Sequence, residues 1–394
     1  MPLHPDIVVV GGGIVGCACA CELAAAGLHV MLLERRGLAA GASGRNQGLL
    51  QPNPDPLYHL LFQEAVRRYE RLAQEGGTPL NLRSTPQLVL ADEATLPAMK
   101  RVAGLFAAAG ITVEPLEPDE LTIVEPCLAV GLAGGFRLPG VRTLDPTAAT
   151  VAFAEAGRRA GAVVRTRTEV RMLLRSGDRV IGVLTDLGTV PAAAVLVAAG
   201  PDTGKLLATA HVHVPVASAR GWLLQTAPLP WKMAHVLGEA EWQNIDIRAF
   251  GRLPTMRELA GGVPDTGDIG VAFTLQQALE GGHATIGATA ASAICEGPNG
   301  PQAAVHLLAA RALQFVPGLA GVSVTRVWSG VRSVTSHGAP VIGKAHGVEG
   351  LWIAAGHGSQ GVMLAPATAR MLTEYLIDGR AHGADVFDLT HVME

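Results

Sequence analysis

Gly11, Gly13 and Gly16 spell G-x-G-x-x-G directly behind the apolar run DIVVV (6–10), and Glu34 closes the next apolar run, HVMLLE (29–34). That spacing suits the binding of a dinucleotide. The first glycine turns the chain tightly, the second lets backbone approach a pyrophosphate, and the third lets the following helix pack on the strand. Ile14 and Val15 open that helix, whose N–H groups and dipole favour negative charge. A carboxylate at Glu34 can accept from both hydroxyls of an adenosine ribose and would repel a 2′-phosphate. Arg35 and Arg36 soften that last point and leave a phosphorylated dinucleotide open.

Downstream, GASGRNQGLLQPN (41–53) sets Arg45, Asn46 and Gln47 between Gly44 and Gly48. A surface loop needs turn formers but not that triplet. In a nicotinamide-binding domain the chain would run straight into the next helix. Here the loop offers backbone amides, Ser43, Arg45 and Gln47 to a longer, more enclosed ligand. A second glycine-rich turn stands in GLWIAAGHGSQGVMLAPATARML (350–372), which reads as strand, turn and helix. Pro366 is tolerated in a helix's first turn, so the helix is expected to start between Val362 and Ala365. Its free N–H groups would point at whatever the turn cradles.

The elements that must position these residues follow from periodicity. DIVVV, a helix over 14–27 and HVMLLE make a βαβ unit. Helices are expected over 57–74, 93–109, 145–162 and 301–317, and a strand over 86–91. Residues 168–200 alternate, with Ser-Gly-Asp and Asp-Leu-Gly as turns, and predict a three-stranded meander leading into the buried strand AVLVAAG (194–200). Residues 219–227, 269–276 and 283–289 read as an antiparallel sheet, and 251–268 as a loop. The α/β segments at both ends must therefore come together around the middle. The expected class is α/β: a Rossmann-like dinucleotide domain from 1–84, 143–216 and 323–394, with an antiparallel substrate domain from 85–142 and 217–322.

Composition narrows the function. Of 394 residues, 49% are hydrophobic and 4% aromatic, with a net charge of -4; without basic patches or stacking residues, nucleic acid is an unsuitable partner. No stretch approaches the ~18 apolar residues of a membrane span. MPLHPDIVVVGGG has no basic start, so no signal peptide is expected, and the cytoplasm is the expected compartment. Cys17, Cys19 and Cys21 fall on different faces of one helix and read as packing residues. With Cys127 and Cys295 they make an odd, irregular set unlike a disulfide framework. The histidines show no metal spacing.

DIVVVGGGIVG, Glu34, GASGRNQGLL, VLVAAG, WSGVRSVTSHGAPVIG (328–343) and GLWIAAGHGSQGVMLAPATARML occur in the order of a known family. The chain resembles the D-amino-acid-oxidase-like FAD-dependent amine oxidoreductases, which include glycine and sarcosine oxidases and subunits of opine, proline and hydroxyproline dehydrogenases. The resemblance implies FAD as cofactor. It places Ser43 at the pyrophosphate and Arg45, Asn46, Gln47, Gly48 and Leu49 along the isoalloxazine. Val170 would meet the adenine through its backbone, and Ala199 and Gly200 would approach the cofactor. Gly356, Gly358, Ser359, Gln360, Gly361 and Val362 would line the ring's N1/C2=O edge. His357 becomes a packed neighbour rather than a base.

Arg332 would grip a substrate carboxylate with its planar fork; the alternatives are a structural ion pair for Arg332 and a loop brace for Arg45. Two departures stand out: Ser333 where the family has proline, and Ser359 where glycine-oxidase-like members carry a second arginine, which suggests a bulkier or less polar substituent. Trp222, Trp242, Phe250 and Phe273 can wall the site or fill the core; Arg220 and His283 read as structural. The implied reaction is oxidation of the C–N bond of a primary or secondary α-amino acid (glycine, an N-substituted glycine, a proline-type ring or an opine). Hydride would pass to flavin N5, and the imine would hydrolyse. Electrons would go to O2 or to a redox partner, the chain being a homo-oligomer or a subunit of a hetero-oligomeric dehydrogenase. A nicotinamide-binding or non-catalytic dinucleotide module is the rival of a different class.

Overall fold

The computed structural model describes residues 4–239, 270–292, 300–336, 338–380 and 387. Ile7–Val10 lies inside a six-stranded sheet, parallel to Val30–Leu33 on one side and Ala194–Val197 on the other. Val163–Arg165 extends one flank, and Leu351–Ala355 the other, both in parallel; Val341–Lys344 closes the sheet antiparallel. Ile7 and Val9 face a core filled by helices, while Val8 and Val10 face a second core. A strand buried on both faces needs no polar alternation, and DIVVV accordingly reads as an unbroken apolar run.

The helix side is built on Ile14–Ala25, whose small side chains are buried nearly all round. It packs against Pro146–Arg159 and Gly361–Asp378. An added Cβ at Gly157 would lie 3.3 Å from Cys21 Cα, so the two helices approach almost backbone to backbone. Cys17, Cys19 and Cys21 are buried packing residues, and burial pushes the Cys21 thiol up to about 11. The other face carries the expected meander, Val170–Ser176, Arg179–Thr185 and Gly188–Pro191. Its Leu173, Val180 and Val183 pack on Val8, Val10 and Val197.

The second region is an eight-stranded sheet. Its order is Val324–Thr335, Val216–Pro228, His283–Ser292, Gly270–Gln277, Val236–Glu239, Gln87–Ala91, Gly134–Leu138, Glu114–Leu116. Val236–Glu239 runs parallel to Gln87–Ala91 and joins the two chain segments that form the sheet. Helix Gly300–Phe315 packs beneath it through Ala304, Leu308, Ala312 and Phe315. Val324–Thr335, grouped above with the dinucleotide-binding segments, pairs along the length of Val216–Pro228 and so belongs to this sheet. Leu49–Leu50, Arg83–Ser84 and Arg142–Thr143 form a small sheet between the regions. The loop expected over 251–268, with Trp242, Phe250 and Cys295, lies outside the described residues.

The last helix starts at Gly361, after a 3-10 turn over Gly358–Gln360 and one residue before the expected window. Pro366 therefore sits in the second turn, where its missing N–H leaves the Val362 carbonyl without its helical donor. Tyr69, fully buried on the neighbouring helix Pro56–Gln74, donates its hydroxyl to that carbonyl at 2.6 Å. The partner lost to proline is supplied from another element. Among the described residues no helix is long and apolar enough to cross a membrane.

Candidate active site

Two cavities of about 870 and 490 Å³ share Ile14, Ala42, Ser43, Arg45, Arg332, Gly358 and Gly361 in their walls and form one cleft between the sheets. The larger begins at the first glycine turn. Gly11 has φ +118°, and a Cβ there would lie 2.3 Å from the Ala198 carbonyl oxygen. A Cβ at Gly16 would lie 2.0 Å from the Gly11 oxygen, so Gly16 lets the helix start directly over the turn. Gly12, an unassigned position of the motif, is equally constrained: its Cβ would fall 2.8 Å from the Glu34 side chain. Glu34 Oε2 accepts from Gly12 N and its Oε1 from Arg36 N, each at 2.7 Å. Arg35 pairs with Asp202 at 2.5 Å, and both line the cavity with Val15, Val170, Ala199 and Gly200.

The 41–53 loop divides its labour. Ser43 Oγ accepts from Ile14 N at 2.9 Å and thereby supplies the first helix with a polar partner that its own Gly13 N-cap lacks. Asn46 Nδ2 donates to the Ala42 and Ser43 carbonyls at 3.0 Å, while Gly48 N donates to Asn46 Oδ1 at 2.8 Å. Gln47 reaches the large sheet: Nε2 donates to Thr285 O at 3.1 Å, and Oε1 accepts from Thr274 Oγ1 at 2.7 Å. Arg45 Nη1 donates to Ser329 O at 2.8 Å, and Trp328 Nε1 donates to Arg45 O at 3.3 Å. Arg45 and Gln47 thus brace the loop against the sheet, while Asn46 ties the loop to itself. Arg45 lines both cavities, and Asn46, Gln47, Gly48 and Leu49 line the smaller one. Gly48 (φ +68°) is fixed by the Leu144 carbonyl, which a Cβ would meet at 1.9 Å.

The C-terminal turn forms the opposite wall. Gly356 has φ +78°, and its N–H donates to Ser333 Oγ at 3.0 Å. Ser333, the departure from the family's proline, thus ties the turn to the strand that carries Arg332. His357 lines the larger cavity; its Nε2 lies 3.0 Å from Thr368 Oγ1, and burial pushes its pKa down to about 4. The imidazole is neutral at physiological pH. Gly358 and Gly361 line both cavities, and Ser359, Gln360 and Val362 the smaller one. The helix that follows has no side-chain cap, which leaves its first-turn N–H groups to this cleft. Gln360 Oε1 is buried without a hydrogen-bond partner among the described residues.

Arg332 stands at the junction. It is paired in register with Ala219, and Nη2 donates to Thr289 O at 2.9 Å. Gly221 and Gly330 face each other on the adjoining strands, and a Cβ at Gly221 would lie 3.1 Å from Arg332 Nη2. Neither glycine carries a sequence signal that marks it out. Trp222 lines the smaller cavity, whereas Phe273 stacks on Phe315 in the core at 5.0 Å. Arg220 Nη1 donates to Ser329 Oγ at 3.1 Å and lines the larger cavity; His283 lines neither. Among the described residues no group of three His, Cys, Asp or Glu is gathered to hold a metal ion.

The order of groups along the cleft fits a dinucleotide. A carboxylate stands at one end, a glycine cradle and helix start follow, and an uncapped second helix start with an orphan acceptor, Gln360 Oε1, lies beyond. A family model described as "DAO: FAD dependent oxidoreductase" matches residues 6–375. Glycine oxidase of Pseudomonas aeruginosa is 31% identical over 95% of this chain and 95% of its own. The 4-methylaminobutanoate oxidase (formaldehyde-forming) of Paenarthrobacter nicotinovorans is 29% identical over 96% of this chain, which spans 44% of that longer protein. Among solved structures, L-proline dehydrogenase from P. horikoshii superposes with a TM-score of 0.82 at 22% identity, covering 99% of this chain and 98% of that one. Glycine oxidase from Geobacillus kaustophilus superposes with a TM-score of 0.79 at 25% identity, covering 98% and 99%.

Proposed function

The chain belongs to the DAO family of FAD-dependent oxidoreductases, and from that premise we propose that it oxidises the C–N bond of a primary or secondary α-amino acid. The observation that carries this reading is Arg332, a guanidinium on a rigid strand in the wall shared by both cavities. Glu34, the Gly11–Gly16 turn, Ser43, Val170, Ala199, Gly200 and the Gly356–Val362 turn would hold FAD. Bound FAD supplies the two-electron acceptor that C–N oxidation requires.

The protein's part is binding, orientation and charge. Arg332 takes the substrate carboxylate and fixes the Cα beside the shared wall. The first-turn N–H groups of Gly361–Asp378 and its dipole stabilise negative charge that develops against them. The described lining of the smaller cavity holds no Asp, Glu, His or Lys, but it does hold Arg45 and Arg332. Two cations disfavour an ammonium, so the amine enters or becomes neutral by losing its proton to water. His357, neutral and bonded to Thr368, adds no charge of its own. Electrons leave to O2 or to a redox partner, which peroxide release by the isolated protein distinguishes. A reducing cytoplasm fits four described thiols of which none is in a disulfide.

The test is an anaerobic panel of amino acids and N-alkylglycines, read as bleaching of a yellow protein. Bleaching by carboxylate-bearing amines, lost on removal of the carboxylate, supports the proposal. A flavin-loaded protein that no amine of the panel reduces would overturn it.

A further inference from the structure

We propose that Thr289 is a positioning residue for Arg332: its hydroxyl holds open a strand bulge whose freed carbonyl fixes the guanidinium. This deepens the α-amino-acid reading above and rests on the carboxylate-binding role given there to Arg332. Arg332 lies on the strand Val324–Thr335 and Thr289 on His283–Ser292, with Val216–Pro228 between them. The guanidinium therefore reaches across the middle strand to Thr289 O, to which Nη2 donates at 2.9 Å. Gly221 on that middle strand makes the crossing possible. A Cβ there would lie 2.6 Å from Thr289 O and 3.1 Å from Arg332 Nη2.

The Thr289 carbonyl is open to a side chain because the ladder is interrupted at this point. From Arg220 to Leu224 the middle strand advances four residues, while its neighbour advances five, from Ala291 to Ile286. The extra residue is a β-bulge, which takes backbone groups out of register. Two of those groups have side-chain partners instead. Thr289 O accepts from Arg332, and Trp222 N donates to Thr289 Oγ1 at 2.8 Å. Thr289 has no solvent exposure and Trp222 is buried, so water does not stand in for either bond. Without the hydroxyl, the Trp222 amide would turn to a carbonyl of the neighbouring strand, as in a regular ladder, and draw Thr289 O away from the guanidinium. Thr289, Trp222 and Arg332 all line the smaller cavity, so the bulge sets the place of the cation in that wall.

The test uses the holoenzyme and propionate, a carboxylate without an amine, titrated against the flavin difference spectrum with propionamide as the neutral control. In Thr289→Val, which keeps the shape and removes the hydroxyl, the Kd for propionate should rise about 10-fold, the size of a weakened charged hydrogen bond. The KM for an amino acid that bleaches the flavin should rise in step, with kcat moving by less than about threefold, because the grip on the carboxylate acts on ground and transition states alike. Propionamide binding and flavin content should stay near wild type. Thr289→Ser keeps the hydroxyl and should return Kd and KM to within about twofold of wild type. In an Arg332→Ala background, Thr289→Val should change propionate binding by no more than about twofold, because the two residues act as one unit. Unchanged propionate binding in Thr289→Val overturns the proposal, as do failure of Thr289→Ser to rescue and a full effect in the absence of Arg332. Should Thr289→Val lose its flavin, Gly221→Ala, which crowds Thr289 O and Arg332 Nη2, carries the same expectation; loss of flavin in both overturns the proposal, since the bulge would then hold the fold and not the guanidinium. If wild type binds propionate and amino acids bleach it while the variants behave as wild type, only the role of Thr289 falls; if neither occurs in wild type, the reading beneath it falls too.

Discussion

Removing the Tyr69 hydroxyl should cost more than a buried Tyr→Phe change ordinarily does, because the Val362 carbonyl has no alternative donor in its helix. The phenol is fully buried, packs edge-on against Phe153 at 5.7 Å, and donates to Val362 O at 2.6 Å. Burial also raises its pKa, so it remains a donor across any usable pH range. Tyr69→Phe leaves the carbonyl desolvated and unpaired, a loss of about 1–3 kcal/mol. Pro366→Ala restores a backbone N–H four residues on from Val362, which can then close the ordinary helical bond. In that background Tyr69→Phe should cost no more than about 0.5 kcal/mol. The assay is a double-mutant cycle by urea unfolding, followed by tryptophan and flavin fluorescence. Equal costs for Tyr69→Phe in both backgrounds would refute the reasoning, because the hydroxyl would then not be standing in for the missing amide.

Three further outcomes are expected. Arg332→Ala should raise KM for carboxylate-bearing amines about 10- to 100-fold, the size of a lost charged hydrogen bond, while FAD titration stays near wild type; parallel loss of FAD would make the arginine architectural. Glu34→Ala removes the acceptor for Gly12 N and Arg36 N and should weaken FAD binding by about 10-fold or more, with little change in KM once the flavin is saturating. His357, whose pKa burial lowers from 6.5 to about 4, is neutral when folded and takes up a proton on unfolding in acid. Its contribution is present above pH 6.5 and is lost as pH falls towards 4, up to about 3 kcal/mol at the low end. His357→Gln should therefore lose less stability than wild type between pH 7 and pH 4 in urea titrations.

Glycine was the readable part of this sequence. Gly11, Gly16 and Gly356 stand where a side chain would strike backbone or a packed methyl, and a motif spacing records that directly. The first helix and the meander were legible too, since small residues and turn tripeptides leave local signals. What escaped was nonlocal. The strand Val324–Thr335 is interrupted by Ser329 and Gly330, and its identity comes from pairing with Val216–Pro228. Asn46 and Gln47 announce polarity but not direction, and both turn towards protein. Gly12 is fixed by a carboxylate in the next strand. The last helix starts one residue ahead of the expected window, because a tyrosine on another helix excuses Pro366 from the first turn.

The strand order of the six-stranded sheet has a consequence for biosynthesis. Ile7–Val10 and its glycine turn leave the ribosome more than 300 residues before Leu351–Ala355 and the Gly356–Val362 turn that complete the same sheet and cleft. Half a cradle must wait, its apolar strand faces uncovered, while the intervening chain is made. Nascent chains arrested before Leu351 should therefore be in demand by chaperones and poor at retaining cofactor, and release of the Gly356–Val362 segment should be the moment at which a colourless intermediate becomes a flavoprotein.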